Sequence, residues 1–308
     1  MDKGKVRPKI AVGQQGVASW ACDAVRSGGG VVVDVSEAQG LVWTDFDSTA
    51  KLIETLANNP GITWVQVPTS GVETYLPYID ETRTWTSAKG AFGGVVAELA
   101  FASLLAGMRH VAGYAREQQW SEDHGRTLFG AHVTILGAGG IAQSLISMLK
   151  PFNCHITVVR NREGDVPGAD VVLTTSRLHE ALKDADAVLM AIALTPHTHG
   201  IMGKAEFELM QTHAWIVNVG RGKQIVTDDL VWALETGEIG GAALDVTDPE
   251  PLPTGHPLWS MPNCIITPHI GNTAEMVPPL LAVRIAENVR RLASGEQLVG
   301  IIDIAVGY

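Results

Sequence analysis

Short apolar runs alternate with helical patterns along most of the chain. In the first third the runs lie at residues 9–13, 30–34 and 40–43, and a further run at residues 64–72 ends in a Gly-containing loop. A helical pattern from Ser48, a residue type that caps helices, to Asn59 follows the third run. Strands that alternate with helices predict a parallel sheet in this part of the chain.

A second alternating series begins at Ala131 and continues almost to the end. Its apolar runs lie at residues 131–136, 156–159, 185–192, 215–218, 242–245 and 264–267. One helix between them has both ends marked, because Thr227 suits an N-cap and Gly237 suits the left-handed residue after a helix. A last helix ending at Gly295 and a short strand at residues 298–302 complete the pattern. The simplest architecture is one α/β domain inserted within another.

Length and charge narrow the class of protein. A chain of 308 residues suits two domains, and a net charge of -11 argues against a nucleic-acid partner. Cys22, Cys154 and Cys264 are widely spaced without a metal-ligand pattern, so we expect no metal and reduced thiols in a cytoplasmic protein. We expect no signal peptide in the charged N-terminus. The apolar stretch Val95–Ala115 contains charged residues and predicts a buried helix, with no membrane partner.

A glycine-rich turn carries the first chemical signal. Gly137-Ala-Gly-Gly-Ile-Ala142 follows the run that ends at Leu136 and precedes a helical stretch. This is the G-x-G-x-x-G/A fingerprint in its strand–turn–helix context. Gly137 permits the tight turn, and Gly139 lets the backbone approach a pyrophosphate at the helix N-terminus. With Gly140 and Ile141, these residues predict a dinucleotide site.

The end of the next strand indicates which dinucleotide is preferred. An enzyme that uses NAD usually carries an acid there to bind the ribose 2′-hydroxyl. This chain has Arg160-Asn161-Arg162, with no acid before Glu163. Two guanidinium groups favour a 2′-phosphate, so NADP(H) is the predicted cofactor and NAD(H) stays possible.

Three polar residues in the last third each stand in an apolar or Gly/Pro-rich setting. They are Arg221 in Ile216–Gly222, Glu250 in Leu244–Pro253, and His269 in Ile265–Gly271. Each follows a predicted buried strand, and ligands bind at the strand tips of open α/β sheets. A cation, an acid and an imidazole at one sheet edge predict a catalytic site.

Taken together, the fingerprint, Asn218–Gly222, Leu244–Pro251 and Thr267–Gly271 resemble the D-isomer-specific 2-hydroxyacid dehydrogenases. The resemblance extends to Ser70-Gly-Val72 in the first third, and therefore covers nearly the whole chain. It implies two Rossmann- or flavodoxin-like domains with parallel sheets. The dinucleotide-binding domain, residues 104–280, is inserted into a substrate domain formed by residues 1–103 and 281–308.

The resemblance also implies a role for each site residue. Arg221 binds the carboxylate of a small 2-keto acid and polarises its carbonyl, His269 acts as acid and base, and Glu250 hydrogen-bonds His269 and favours its charged form. Ser70, Gly71 and Val72 match the loop that cradles the substrate carboxylate. Asp245 matches the residue that receives the nicotinamide carboxamide. The remaining cofactor contacts expected from the resemblance are Leu194, Thr195, Val219, Gly220 and Gly271.

Several functions are compatible with these motifs. Arg160 and Arg162 favour a reductase similar to glyoxylate/hydroxypyruvate reductases. The expected absence of a regulatory domain favours the same class. A dinucleotide-sensing corepressor and a 3-phosphoglycerate dehydrogenase without a regulatory domain are the alternatives. A formate enzyme is disfavoured, because the formate enzymes of this family lack a Glu at the position of Glu250. The long apolar stretch also predicts a homodimer.

Overall fold

The computed structural model describes residues 7–13 and 18–304, so the start of the charged N-terminal segment lies outside the described residues. The chain divides into two compact units, residues 1–92 with 273–308 and residues 93–272. These limits fall earlier than the predicted functional boundaries at 103/104 and 280/281, which stay a prediction. Within the described residues, no helix has both the length and the apolar character that a bilayer span needs.

The first unit is built on a parallel sheet of five short strands. They are β1 (Lys9–Val12), β2 (Val31–Val32), β3 (Gly40–Val42), β4 (Trp64–Gln66) and β5 (Thr84–Thr86). Their spatial order is β2-β1-β3-β4-β5, which is the flavodoxin-like order. Strands β3 and β4 are buried throughout, as expected for a parallel sheet covered on both faces.

Three helices accompany this sheet: α1 (Ser19–Ser27), α2 (Thr49–Asn58) and α9 (Val277–Ser294). Helix α9 is attached by polar side chains as well as by its apolar face. Arg284 donates to the carbonyls of Ser87 and Lys89 at 3.0 and 2.8 Å, and burial lowers its pKa. Asn288, fully buried, donates to Gln66 Oε1 at 3.0 Å. These bonds join the last long helix to the sheet of the first unit.

The second unit is built on a parallel sheet of seven strands. They are β6 (His132–Leu136), β7 (His155–Arg160), β8 (Val171–Thr174), β9 (Ala187–Met190), β10 (Trp215–Asn218), β11 (Gly241–Leu244) and β12 (Cys264–Ile266). The spatial order is β12-β11-β10-β9-β6-β7-β8. The chain therefore leaves β6 towards one side and returns to its other side at β9, which is the strand-order reversal of a Rossmann sheet.

Helices cover both faces of this second sheet. They are α3 (Gly93–Met108), α4 (Val111–Tyr114), α5 (Gly140–Leu149), α6 (Leu178–Leu182), α7 (Lys204–Phe207) and α8 (Thr227–Thr236). Helices α3 and α5 bury one face of the sheet, and α6, α7 and α8 bury the other. Glycine 93 brings α3 close to α5, since a Cβ there would lie 2.8 Å from the carbonyl carbon of Gly140. The predicted α/β class with parallel sheets is confirmed.

The structure departs from the sequence prediction at five places. The helix predicted over Val95–Ala115 is divided into α3, which ends at Met108, and the short α4. Strands β5 and β8 were not predicted, because each is a short run with polar neighbours. The predicted final strand at residues 298–302 is wrong, since only Ile301 pairs, in an isolated bridge with Thr86. Thr227 is the first residue of α8 and not its N-cap, which is Val226. The predicted end of that helix is confirmed, because Gly237 has a left-handed φ of 72°.

Candidate active site

The carboxyl edge of the second sheet collects the predicted catalytic residues. Residues Asn218, Leu244 and Ile266 stand side by side in β10, β11 and β12. Arg221 follows the first of these strands, Glu250 lies in the loop after the second, and His269 follows the third. Parallel strands end at the same edge, so three adjacent loops deliver a cation, a carboxylate and an imidazole to it.

His269 and Glu250 form a direct pair. Nδ1 of His269 lies 2.7 Å from Oε1 of Glu250, and the two side chains are 47% and 40% exposed. A carboxylate at Nδ1 selects the tautomer with its proton on that nitrogen, which leaves Nε2 for proton transfer to another molecule. The geometry is that of an imidazole held by an acid at a solvent-accessible edge.

The backbone of His269 adopts a left-handed conformation with φ of 54°, which is uncommon for a residue with a Cβ. Its N–H donates to the carbonyls of Asp245 and Thr267, at 2.9 and 3.0 Å. Such a conformation persists where the surroundings over-determine it. The loop after β12 therefore presents the His269 side chain in a fixed direction.

Asp245, which is only 6% exposed, holds the loop that carries His269. Its carboxylate accepts the hydroxyl of Thr267 at 2.6 Å and the N–H groups of Ile270 and Gly271 at 2.8 and 2.9 Å. These bonds engage both carboxylate oxygens with the loop that carries His269. These bonds show that Asp245 holds the His269 loop in place. Its contact with a nicotinamide carboxamide stays a prediction.

The turn after β10 sets the backbone of Arg221. The buried Asn218 accepts the N–H of Gly220 at 2.9 Å and donates to the carbonyl of Arg221 at 3.0 Å. Gln224, also buried, accepts the N–H of Arg221 at 2.9 Å and donates to the carbonyl of Ile192 after β9 at 2.8 Å. Two buried amides thus position Arg221 and tie its turn to the neighbouring loop.

Gly222 joins the turn of Arg221 to the loop of Glu250. A Cβ at Gly222 would collide with the carbonyl of Thr247 and lie 2.7 Å from the N–H nitrogen of Asp248. The two loops therefore touch backbone to backbone at a place where a side chain does not fit. Thr247 closes its own loop by donating to the carbonyl of Pro249 at 2.9 Å.

The glycine-rich turn has the geometry that its sequence predicted. Gly137 has φ of 110°, its N–H donates to the carbonyl of Val159 at 2.7 Å, and a Cβ there would collide with the carbonyl of Ala191. Gly139 precedes α5, and a Cβ on it would meet nothing within 4 Å. Open space above a helix N-terminus is the setting that a pyrophosphate needs. Ala142 is fully buried beneath it.

The tip of β7 is exposed and basic. Arg160 is half-buried, and Asn161 and Arg162 are exposed. In the part of the chain that the structure describes, no ion pair or side-chain hydrogen bond engages either guanidinium. Leu194 and Thr195 lie on the other side of β6, after β9, where Thr198 accepts the N–H of Thr195 at 2.8 Å.

Sequence reasoning missed the residues that position this site. Asn218, Gln224, Thr198 and Thr267 hold the loops, yet none was predicted to do so. The available signal was a polar residue directly after an apolar run, as for Asn218 after Trp215-Ile-Val217. That signal says that a polar residue is buried there, but not which group it bonds.

The predicted substrate loop lies in the first unit and is described there by itself. The hydroxyl of Ser70 donates to the carbonyl of Ala88 at 3.1 Å, and the side chain of Val72 is buried. Among the described residues we find no acceptor for the backbone N–H groups of Gly71 and Val72. Adjacent N–H groups of this kind suit an anion such as a carboxylate.

The model of the family "D-isomer specific 2-hydroxyacid dehydrogenase, NAD binding domain" matches residues 100–271. The match covers more than half of the chain and includes the glycine-rich turn, Arg221, Glu250 and His269. The chain belongs to the D-isomer specific 2-hydroxyacid dehydrogenase family. It is therefore an oxidoreductase that acts on CH–OH donors and carries the nicotinamide-dinucleotide-binding domain of that family.

Individual proteins are similar to the chain in sequence. An uncharacterised protein of Corynebacterium melassecola is 37% identical over 295 residues, which are 92% of this chain and 95% of that protein. Human glyoxylate reductase/hydroxypyruvate reductase is 35% identical over 167 residues, 54% of this chain and 51% of the human protein.

Solved structures share the fold over almost the whole chain. A family protein from Aeromonas salmonicida subsp. salmonicida A449 has a TM-score of 0.80 at 29% identity, covering 97% of this chain and 100% of the other. A D-isomer specific 2-hydroxyacid dehydrogenase from Xanthobacter autotrophicus Py2, solved with NADPH and MES, has a TM-score of 0.82 at 24% identity, covering 98% and 99%. At that identity the second comparison shows the fold alone.

Proposed function

We propose that this chain reduces a small 2-keto acid such as glyoxylate or hydroxypyruvate, with NADPH as the preferred hydride donor. The observation that carries the proposal is the His269–Glu250 pair, with 2.7 Å between Nδ1 and Oε1, on the loops after β12 and β11, next to the loop of Arg221. The name of the human relative, a glyoxylate reductase/hydroxypyruvate reductase, supports this substrate class.

In the proposed mechanism the nicotinamide, when bound, supplies the hydride to C2 of the keto acid. Arg221 binds the substrate carboxylate and polarises the carbonyl, which fixes the reacting carbon. His269 donates the proton on Nε2 to the carbonyl oxygen, and removes it again in the oxidation direction. Glu250 accepts the hydrogen bond from Nδ1 and stabilises the charged imidazole before the proton is transferred.

The residues of the second unit fit a dinucleotide. The N-terminus of α5 with the open space at Gly139 would hold the pyrophosphate, and Arg160 and Arg162 would hold a 2′-phosphate. The other proposed cofactor contacts are Gly140, Ile141, Asn161, Leu194, Thr195, Val219, Gly220, Arg221, Asp245, His269 and Gly271. The structure from Xanthobacter autotrophicus was solved with NADPH, which agrees with this preference in a protein of the same fold.

The first unit would bind the acid end of the substrate. We propose that Ser70, Gly71 and Val72 form the carboxylate loop, supported by the N–H groups of Gly71 and Val72 that have no acceptor among the described residues. The predicted domains, 1–103 with 281–308 for substrate and 104–280 for the dinucleotide, belong to the same proposal.

We also propose a cytoplasmic homodimer. The described cysteines are unpaired, as in a reducing compartment. Trp120, Phe129 and Val111 are highly exposed, at 101%, 62% and 54%, and contact with a second copy would bury apolar side chains of this kind. Sedimentation at several concentrations measures the mass, and a monomer throughout would contradict the dimer.

The decisive experiment follows absorbance of NADPH and of NADH with glyoxylate, hydroxypyruvate, pyruvate and phenylpyruvate. His269→Gln should lower kcat by about 10²- to 10⁴-fold, because it removes the proton donor. His179→Gln is the matched control, since His179 is an exposed histidine that pairs with Glu206. No turnover with any acid, despite tight dinucleotide binding, would overturn the reductase and favour a dinucleotide-sensing protein.

A further inference from the structure

Thr227 does not do what its sequence position predicts. It stands at the start of α8, where a threonine commonly caps the helix, but the N-cap is Val226 and no side chain caps this end. The hydroxyl of Thr227 donates instead to the carbonyl of Asp248, at 2.6 Å. The side chain of Thr227 therefore bonds a neighbouring loop and leaves the end of its own helix uncapped.

The loop that receives this bond is the one that carries Glu250. Within the loop, Thr247 donates to the carbonyl of Pro249 at 2.9 Å, and its N–H lies 3.4 Å from Oε2 of Glu250. These two contacts shape the loop but do not attach it to the rest of the unit. Attachment comes from the Thr227 hydroxyl, from the backbone contact with Gly222, and from the side chain of Leu252, which is buried in the core beyond Glu250.

Attachment matters here because the catalytic pair is half exposed. The side chains of Glu250 and His269 are 40% and 47% accessible, so water competes for their hydrogen bond. A glutamate on an unattached loop would lose its partner for much of the time. The hydroxyl of Thr227 bonds this loop at the carbonyl of Asp248, two residues before Glu250.

We propose that Thr227 is a positioning residue for the reaction, which holds the Glu250 loop so that Glu250 keeps its hydrogen bond to His269. This inference rests on the proposed roles of Glu250 and His269. Thr227 touches neither the substrate nor the cofactor in this scheme. It acts through the Asp248 carbonyl, and it connects α8, which follows the turn of Arg221, to the acid of the pair.

The test compares three variants of the 308-residue chain. Thr227→Val keeps the shape of the side chain and removes the donor, whereas Thr227→Ser keeps the donor. Thr236→Val is the matched control, because Thr236 lies in the same helix and its hydroxyl donates to the carbonyl of Trp232 at 2.8 Å, away from the site. Circular dichroism and urea unfolding establish that each variant is folded.

Two readouts are measured on each variant. Ring ¹⁵N chemical shifts of His269 report how protons are distributed between Nδ1 and Nε2, with Glu250→Gln as the reference for a disturbed pair. In Thr227→Val we expect these shifts to move towards the Glu250→Gln values. We expect kcat to fall by about threefold to tenfold, the size of one neutral hydrogen bond, with KM unchanged. Thr227→Ser should restore both, and Thr236→Val should resemble the wild type.

The outcomes separate this inference from the proposed function. If the ring shifts in Thr227→Val equal those of the wild type, the positioning role is wrong, whatever happens to kcat. If the wild type turns over no keto acid, the proposed function fails, but the ring shifts still decide whether Thr227 holds the pair together.

Discussion

Two parts of one sheet edge differ in how they are built. The loops after β10, β11 and β12 are tied by buried polar side chains, namely Asn218, Gln224 and Asp245. The tip of β7, with the half-buried Arg160 and the exposed Arg162, has no such ties among the described residues. Both parts carry charged groups that we assign to ligands.

In the proposed function, the difference follows from what each part has to do. Proton transfer requires donor and acceptor within hydrogen-bond distance and in line, so small displacements are costly. A phosphate carries several acceptor oxygens and can be bound by a mobile guanidinium from many directions. Under this proposal, one part of the sheet edge is fixed for catalysis and another part is exposed for phosphate recognition.

Among the tests of this comparison, the largest expected effect comes from separating the tied loops. Gly222→Ala places a methyl group against the carbonyl of Thr247, so the Arg221 turn and the Glu250 loop must move apart. A displacement of that size should lower kcat by about 100-fold, with a smaller change in dinucleotide binding. Steady-state kinetics and fluorescence titration with NADPH measure the two quantities.

Gly61→Ala is the control for this substitution, because a Cβ at Gly61 meets nothing within 4 Å. It should leave kcat unchanged. A Gly222→Ala enzyme with the kcat of the wild type would show that the contact between the two loops is not needed. The loops after β10 and β11 would then not have to be fixed for activity, contrary to the comparison.

A smaller effect is expected on the exposed edge. The double variant Arg160→Ala/Arg162→Ala should reduce the preference for NADPH over NADH by about 30-fold, less than two full charge-assisted hydrogen bonds because the site is solvated. The kcat with NADH should stay close to that of the wild type. Ratios of kcat/KM for the two dinucleotides give the preference.

Arg177→Ala controls for the loss of positive charge nearby. Arg177 follows the adjacent strand β8 and already pairs with Glu180 at 2.6 Å. We expect it to change the preference little. If the double variant lost kcat with both dinucleotides, the exposed edge would also be positioning the chemistry, contrary to the comparison.

The smallest expected effect concerns the opposite end of β12, where the strand begins. Cys264 begins β12, and burial raises the pKa of its thiol to about 12 from an ordinary value of 9.0. Between these values the native protein keeps the proton and the unfolded chain loses it, so stability falls as pH rises through this window. From pH 9 to 10, the wild type should lose about 1 kcal/mol more unfolding free energy than Cys264→Ala.

Urea unfolding at the two pH values measures this difference, and Cys22→Ala is the control on the half-buried cysteine of α1. Equal slopes for wild type and Cys264→Ala would mean that the thiol is not shielded. The amino end of β12 would then be open to water, although the loop at its carboxyl end is held in place.

Much of the fold was readable from local pattern. Apolar runs separated by helical segments predicted the parallel α/β sheets, and the glycines at 137 and 237 predicted a tight turn and a helix end that the φ angles confirm. These features depend on neighbours within a few residues. Strands β5 and β8 escaped prediction because they are short and obtain their hydrogen bonds from distant strands.

The sequence by itself determined the class of fold, the glycine-rich turn, and the order of Arg221, Glu250 and His269 along the chain, because each depends on local residue types and spacing. Only the tertiary structure decided the polar contacts around them. Asp245 turned out to hold the His269 loop, and Thr227 to bond Asp248 and not to cap its helix. A hydroxyl or carboxylate can bond many partners, and which one it meets depends on how distant segments pack.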